Sequence, residues 1–435
     1  MTSIPELYAI YRRHSIICTD TRSLTDGCIF FALKGPSFNG NTFAATALEQ
    51  GAAFAVVDEP QFATNDKCLL VPDVLTALQE LAHYHRRQLK IPVLAITGSN
   101  GKTTTKELAR AVLSKKFKTL ATRGNLNNHI GVPLTLLSIT DDIEFAVVEM
   151  GANHQQEIAG YCRYAEPDFG LITNVGKAHL EGFGGFDGVK KGKGELYSFL
   201  SSSDKTIFMN ADNAHLQEMA SQRNASHLFR YGTGSDVDCK GKLLSEQPFL
   251  IIQWSCEDQQ GEVHSHLVGT YNFENILSAI AIGNYFGVES NDIDKAIADY
   301  IPDNSRSQLM QRGSNTLILD AYNANPTSME AALKNFSSMT GKNKIVCLGD
   351  MAELGDATDA EHERIVRILA TENFSDVILV GKNFGKYSAQ LSCHHFSDSG
   401  EAANWLKEQS IADSTVLIKG SRSSRMEKLL EAFNS

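Results

Sequence analysis

Thr97-Gly98-Ser99-Asn100-Gly101-Lys102-Thr103-Thr104 decides how the rest of the chain is read. It follows Val93-Leu94-Ala95-Ile96, an apolar run with the length and branching of a buried strand. Behind it Leu108, Ala109, Val112 and Leu113 recur at helical spacing, so the glycines sit in a strand-to-helix turn. A helix start presents unpaired N–H groups and the positive end of a dipole, which together suit a phosphate. Gly98 and Gly101 let the backbone come close to the anion, and Lys102 adds a mobile positive charge. Thr103 or Thr104 supplies a hydroxyl of the kind that ligates Mg²⁺. The spacing, G-x-x-G-K-T, is shorter than the common G-x-x-x-x-G-K-T form. A plain glycine turn with a solvated lysine is the competing account. Strand, loop, lysine and paired threonines together favour a nucleotide-phosphate loop.

At 435 residues the chain is too long for one ordinary core, and its length points to about three domains. A hydrophobic content of 42% and a charged content of 21% are those of a globular protein. The net charge of -11 argues against nucleic acid or an anionic membrane as partner. An anionic substrate must then be held by local basic groups and backbone N–H donors. The cysteines (Cys18, Cys28, Cys68, Cys162, Cys239, Cys256, Cys347, Cys393) are scattered without a C-x-x-C pair, a reduced pattern rather than a disulfide framework. Met1-Thr2-Ser3-Ile4-Pro5-Glu6 opens no signal peptide and no apolar stretch is long enough to span a bilayer. A cytoplasmic protein is expected.

Working outward, Cys28–Leu33 and Ala53–Val57 read as strands of a first unit, with a helix over 44–50 and a loop over 35–41 between them. A helix over 74–89 links this unit to the next. Strands are expected at 93–97, 145–150, 169–175 and 205–209 with helices between several of them, the alternation of a doubly wound parallel sheet. From 238 to 268 short runs with polar turns read as a small antiparallel appendage. A boundary is expected in Tyr300–Ser305, and beyond it strands at 316–320, 344–348, 376–380 and 414–419 form another α/β unit.

Several residues are placed for chemistry. Glu149 ends the apolar strand Phe145-Ala146-Val147-Val148 and is the candidate to deliver a carboxylate to Mg²⁺. His179, after the glycine turn of Asn174-Val175-Gly176-Lys177-Ala178, reads by itself first as a surface loop histidine, with a metal ligand or a base as the alternatives. Lys190, Lys191 and Lys193 crowd near Glu195, either as a solvated basic segment or as contacts to phosphate or an acidic substrate. Asn272 and Asn275 share one face of a helix start, where amides suit either the edge of an adenine or simple capping. The loops Asp320–Pro326, Leu348–Gly355 and Lys419–Arg425 each follow an apolar strand, so together they read as a second binding face.

In order along the chain, T-G-S-N-G-K-T, Glu149-Met150-Gly151, N-V-G-K-A-H and the N-x-x-N pair resemble the Mur ligases, ATP-dependent enzymes that extend the peptide of bacterial cell-wall precursors. The resemblance covers essentially the whole chain. D-A-Y-N-A-N-P-T-S-M, L-G-D-M-A-E-L-G and K-G-S-R look like the type that joins D-alanyl-D-alanine to UDP-N-acetylmuramoyl-tripeptide. The fold implied is α/β in three domains. These are an N-terminal mixed α/β domain over 1–85 that binds the UDP-sugar, a central P-loop parallel-sheet ATPase domain over 86–303, and a C-terminal Rossmann-like α/β domain over 304–435. The last would close on ATP and bind the incoming dipeptide.

The resemblance also implies roles for residues. Gly98, Ser99, Asn100, Gly101, Lys102, Thr103 and Thr104 would hold ATP phosphates, and Asn272 and Asn275 would meet the adenine end. Arg306 and Asp320 would reach the nucleotide from the C-terminal domain. Thr103, Glu149 and His179 would surround Mg²⁺, as a pair of ions. Lys193, in its K-G-E setting, resembles a lysine that is carbamylated to become an anionic, metal-orienting group, which makes Lys102, Glu149, His179 and Lys193 the catalytic set. Thr21, Arg22 and Ser23, then Thr122, Asn127 and Asn128, would contact the UDP-precursor, and Asn323 and Asn325 would place the dipeptide. The departures are Thr21 for serine, Tyr271 where histidine is common, and the absence of glycine before Arg306. A monomer is expected, with the precursor and the dipeptide as its only partners. The alternatives are another Mur-type amino-acid ligase, a folylpolyglutamate synthase, or a nucleotide-dependent switch that forms no bond.

Overall fold

The computed structural model describes residues 1–302 and 305–433. It is α/β throughout and divides into two compact units. The first holds residues 1–96, 117–152 and 156–170; the second holds 97–116, 153–155 and everything from 171 onward. The expected boundary between 303 and 304 falls on residues outside the described ones.

In the first unit, Ile17–Cys18, Ile29–Phe31, Phe54–Val57 and Cys68–Leu70 form a four-stranded parallel sheet. Cys28, Phe30, Ala32, Ala55 and Val57 meet Ala44 and Ala47 of the helix Ala44–Glu49 in its core. Asp73 caps the helix Val74–Arg86, its carboxylate accepting the Thr76 N–H at 2.7 Å. The helix stops short of the expected residue 89 because Gln88 and Leu89 bond back only three residues, at 2.9 and 3.1 Å. His85 Nε2 lies 2.9 Å from Ile139 O, and Arg86 reaches Ala165 O and Asp168 at 2.9 and 2.8 Å. The same unit carries parallel strands in the order Val93–Thr97, Phe145–Glu149, Thr119–Ala121. Val93–Thr97 is buried along its whole length, as expected of an apolar strand flanked on both sides.

In the second unit the order runs Phe169–Ile172, Thr206–Asn210, Leu228–Gly232, Cys239–Ser245, Ile251–Cys256, Gln259–His264. The last three are antiparallel, the appendage read from sequence. There the cysteine reading needs correction: Cys239 and Cys256 face each other in register and are joined as a disulfide. Spacing along the chain cannot reveal such a pair, because strand register brings the two thiols together. Helix Lys102–Leu113 buries Leu108, Ala109, Val112 and Leu113, and the apolar helix Asn272–Tyr285 packs on it.

The C-terminal part of this unit is a six-stranded sheet ordered Gln308–Arg312, Asn315–Asp320, Thr415–Lys419, Lys344–Gly349, Asp376–Val380, His394–Phe396. Only the first pair is antiparallel. Apolar clusters cover both faces, one around Met329, Leu333 and Phe336, the other around Leu406, Met426 and Leu429. This is a doubly wound arrangement. Among the described residues no helix is long and apolar enough to cross a membrane.

Candidate active site

The phosphate loop is shaped by what surrounds it in the second unit. Gly98 and Gly101 lie at φ +141° and +79°. A Cβ at Gly98 would stand 2.0 Å from the Thr173 hydroxyl, and one at Gly101 would stand 2.4 Å from Asn275 Oδ1. Both positions therefore need glycine for space as well as for conformation. Thr173 and Asn174, leaving the strand Phe169–Ile172, grip the loop. Asn174 O accepts the Ser99 N–H and Asn174 Oδ1 accepts the Asn100 N–H, each at 3.0 Å. The Thr173 hydroxyl donates to Asn100 O at 2.5 Å. Two of the expected anion donors, the amides of Ser99 and Asn100, are thus engaged by protein. Thr105 N–H is the first to reach back along the helix, to Gly101 O at 2.8 Å. The amides of 101–104 precede it, at the end where a helix offers its donors outward. Lys102 Nζ donates to Gly98 O at 2.8 Å and Ser99 O at 3.3 Å, folded over the loop it belongs to.

Asn272 and Asn275 do something that sequence did not foretell. Asn275 Oδ1 accepts the Thr105 hydroxyl at 3.1 Å, its amide donates to Asn272 Oδ1 at 2.9 Å, and the Asn272 amide donates to Val268 O at 2.8 Å. Both are buried, so the pair braces the start of the loop helix. Asn275→Ala should lower stability by about 1–3 kcal/mol by stranding buried polar groups. Denaturant unfolding, followed with the ATP dependence of turnover, measures it.

Lys193 lies in helix Phe186–Ser202, only 1% exposed, with Nζ 5.1 Å from the centroid of the Phe183 ring. His179 stands at φ +53°, and its buried Nδ1 lies 2.5 Å from Glu353 Oε2, an approach whose angle makes no hydrogen bond. The adjacent imidazole holds the Glu353 carboxyl below the ordinary glutamate range. Lys177 of the same turn pairs with Glu361 at 2.5 Å, and its N–H donates to the Thr327 hydroxyl at 3.1 Å.

The three polar loops of the C-terminal sheet do meet. Lys419 Nζ lies 2.5 Å from Asp320 Oδ2, and the Ser421 and Ser424 hydroxyls donate to Asp350 O at 2.6 and 3.0 Å. Asp320 Oδ1 also receives the Ser307 N–H at 3.4 Å. Arg306 lies over the Tyr322 ring at 3.8 Å. Ser305, where a glycine was missed, takes the left-handed φ of +57° that glycine would adopt with least strain. Tyr271, the other departure, bonds to the Ser307 hydroxyl at 2.8 Å. Asn323 is exposed, its Oδ1 accepting the Ala324 N–H at 2.9 Å. Asn325 caps helix Pro326–Ser338 through Oδ1, and its amide donates to Asn100 Oδ1 in the phosphate loop at 2.7 Å.

In the first unit, Glu149 is paired in register with Ile96 and is 1% exposed. Asn127 donates to its Oε1 at 2.7 Å, and its backbone N–H donates to the Thr122 hydroxyl at 2.9 Å. Thr122 and Asn127, expected at the substrate, therefore hold the carboxylate. Asn128 Oδ1 accepts the N–H groups of Ile130 and Gly131 at 3.1 and 2.9 Å. Arg22 is exposed and paired with Asp20 at 2.6 Å, where the guanidinium draws the Asp20 carboxyl down to about 2. The Ser23 hydroxyl approaches Asp20 O at 3.5 Å, and Thr21 starts the same short turn. The residues that sequence reasoning passed over are Thr105, Thr173, Glu353 and Lys419. Their positions within or beside the quoted motifs were visible, but their partners lie far along the chain.

Comparison with known proteins follows the same line. The Mur ligase middle domain matches residues 96–283, and the Mur ligase glutamate ligase domain matches residues 305–422. The UDP-N-acetylmuramoyl-tripeptide--D-alanyl-D-alanine ligase of Escherichia coli is 37% identical over 428 residues, covering 96% of this chain and 93% of that protein. Crystal structure I of MurF from Acinetobacter baumannii superposes with a TM-score of 0.86 at 32% identity, covering 96% of this chain and 93% of that one. MurF from Thermotoga maritima, solved in complex with ADP, gives a TM-score of 0.85 at 25% identity, covering 96% and 97%. The chain belongs to the Mur ligase family, and within it to the MurF type.

Proposed function

We infer that this protein joins D-alanyl-D-alanine to UDP-N-acetylmuramoyl-tripeptide at the expense of ATP. The observation that carries the reading is similarity to ligases of that name along essentially the full chain. The loop Thr97–Thr104 supports it, with Gly98 and Gly101 at positive φ and Lys102 folded over the loop. The tripeptide carboxylate attacks the γ-phosphorus and ADP departs, leaving an acyl phosphate. The dipeptide amine then attacks that carbonyl, loses a proton, and inorganic phosphate leaves. Two anions must meet in the first step, so neutralising charge is the main task of the site.

Lys102 and the outward amides of residues 101–104 are assigned to the β- and γ-phosphates. Arg306 and Asp320 serve the nucleotide from the C-terminal segment, with Lys419 fixing Asp320. Asn272 and Asn275 are assigned to bracing the loop rather than to adenine. Asn100, Ser99 and Asn325 shape the loop, and Asn323 remains the candidate for the dipeptide. The precursor's UDP-sugar is assigned to Thr21, Arg22, Ser23 and Asn128 within residues 1–85 and 117–152. Residues 86–303 are read as the ATP-binding domain and 304–435 as the one that closes on it.

Mg²⁺ is the cation we assign to this chemistry, since hard oxygens are its usual ligands. Among the described residues no three His, Cys, Asp or Glu side chains gather into a closed metal site. Thr103 and Glu149 offer hard oxygens and His179 a nitrogen, so the remaining ligands would be phosphate oxygens and water, as is usual for this cation. Bound there it would neutralise phosphate charge. Lys193, buried in helix Phe186–Ser202 with Nζ near the Phe183 ring, is the residue we assign to carbamylation. Lys193→Ala should be inactive and regain part of its turnover when a small carboxylic acid is added; no regain would remove the carbamate from the mechanism.

We further propose a cytoplasmic, monomeric enzyme with no nucleic-acid or membrane partner. The deciding experiment measures phosphate release with ATP and the tripeptide precursor, comparing D-alanyl-D-alanine with single amino acids and glutamate. Release confined to the dipeptide is expected. Release with glutamate alone would restore the folylpolyglutamate reading, and no release with any acceptor would restore the switch.

A further inference from the structure

His362, on helix Thr358–Thr371, is fully buried, and both of its ring nitrogens are engaged by backbone. Nε2 accepts the Met351 N–H at 3.0 Å, and Nδ1 donates to Thr358 O at 2.7 Å. A backbone N–H can only donate and a carbonyl can only accept, so the ring is neutral with its proton on Nδ1. Phe384 meets it edge-on, 4.7 Å between centroids. Asp350, the residue before Met351, is turned elsewhere. Its carboxylate accepts the N–H groups of Asn383 and Phe384 at 2.9 and 3.0 Å, and its Oδ1 stays 3.8 Å from Nε2. Two residues past Met351, Glu353 O accepts the Glu181 N–H at 3.5 Å. Glu361, the neighbour of His362, pairs with Lys177 at 2.5 Å. One helix therefore holds both the loop Leu348–Gly355 and the turn 174–181, whose Asn174 grips the phosphate loop.

A buried N–H that loses its acceptor costs more than an ordinary hydrogen bond is worth, so Met351 stays where Nε2 is. We propose that His362 is a positioning residue for the dipeptide step: as a neutral ring it pins Met351 and so holds Leu348–Gly355 against the turn 174–181. The inference rests on the reading of residues 304–435 as the segment that receives the dipeptide, and deepens it. A pH dependence comes with it. A proton on Nε2 turns that acceptor into a donor, which confronts the Met351 N–H with a like group and unpins the loop. Burial holds the ring below the ordinary histidine range, outweighing Thr358 O, Asp350 and Asp359, which favour the charged form; Lys386 opposes it. Lys386 is itself paired with Asp359, at 2.5 Å. The loop is therefore held at neutral pH and released only as the pH falls through that lowered value.

The test compares wild type, His362→Gln and His362→Ala as full-length protein, by phosphate release with ATP, the tripeptide precursor and D-alanyl-D-alanine. A glutamine oxygen reaches the place of Nε2 and accepts the Met351 N–H, but takes no proton in this range. Alanine strands that N–H. The KM for the dipeptide should rise about tenfold or more in His362→Ala, the scale of a buried donor left without its partner, with the KM for ATP near wild type. His362→Gln should bring it back to within about threefold of wild type. A histidine that served stability alone would lower kcat with the folded fraction and move neither KM. The ratio of kcat/KM for the dipeptide, His362→Gln over wild type, cancels the titration of the substrates. It should be flat above the histidine range and climb as the pH falls below it. An unchanged dipeptide KM in His362→Ala, a glutamine variant no better than alanine, or a ratio flat throughout each overturns the proposal. Should His362→Ala not fold, the ratio decides alone. Wild-type enzyme that releases no phosphate with the dipeptide overturns the functional reading instead. Deuterium exchange at the Met351 amide then still decides whether His362 pins the loop: faster exchange in His362→Ala and near-wild-type exchange in His362→Gln support it, and equal exchange in all three rules it out.

Discussion

Lys102→Ala should reduce precursor-dependent phosphate release about a thousandfold while the protein still folds. The magnitude is that of removing a group aimed at charge that builds up in the transition state. The ammonium rests on Gly98 O and Ser99 O, 2.8 and 3.3 Å away, so the lysine is already at the loop. Alanine leaves those carbonyls to water at a cost of about 1 kcal/mol, too little to unfold the unit. Lys102→Arg should not recover activity, because a planar guanidinium does not replace a compact ammonium in a tight loop. Phosphate release measured alongside thermal melting separates the outcomes. Activity within tenfold of wild type would remove the loop from the chemistry, and a melting loss that tracks the activity loss would make the lysine structural.

Lys419→Ala is expected to be the most damaging single change to stability, at about 3–5 kcal/mol. The side chain is 2% exposed, and its partner Asp320 stands opposite it in register across the strands Asn315–Asp320 and Thr415–Lys419. Alanine would leave a mostly buried carboxylate whose other contact is the long bond from Ser307 N–H. Replacing both partners, as Asp320→Leu with Lys419→Met, should return most of the stability, since an apolar pair of similar volume avoids the stranded charge. Activity should not return with it, because Asp320 also steadies the turn that carries Arg306. Denaturant unfolding of the single and double variants gives the answer; a loss below about 1 kcal/mol in Lys419→Ala would mean that water reaches the carboxylate freely.

What could be read beforehand followed burial. Val93–Thr97, Phe145–Glu149 and Asp376–Val380 are strands covered on both faces, and continuous apolar runs announce them. Thr119–Ala121 and Gln308–Arg312 lie at sheet edges and, apart from Ala121, are half-buried or exposed, so nothing in their composition marks them as strands. The loop glycines were legible because conformation is a local property. Asn272 and Asn275 were legible as special but not in their role, since Thr105 lies 170 residues from Asn275 in sequence. The bonds of Thr122 and Asn127 to Glu149 were out of sight for the same reason, since that residue is more than twenty positions away. Glu353 stood inside a quoted motif without a role, because only the folded chain brings it to a histidine.

The grip of Thr173 and Asn174 on Ser99 and Asn100 means that the curvature of the anion seat is set during folding and not by the visitor. The entropy of arranging that backbone is already spent before a nucleotide arrives, which favours quick capture and little distinction between occupants that share a pyrophosphate. Selectivity for the unspent nucleotide would then come from elsewhere, and the amide that Asn325 extends to Asn100 ties the loop to the segment proposed to receive the dipeptide.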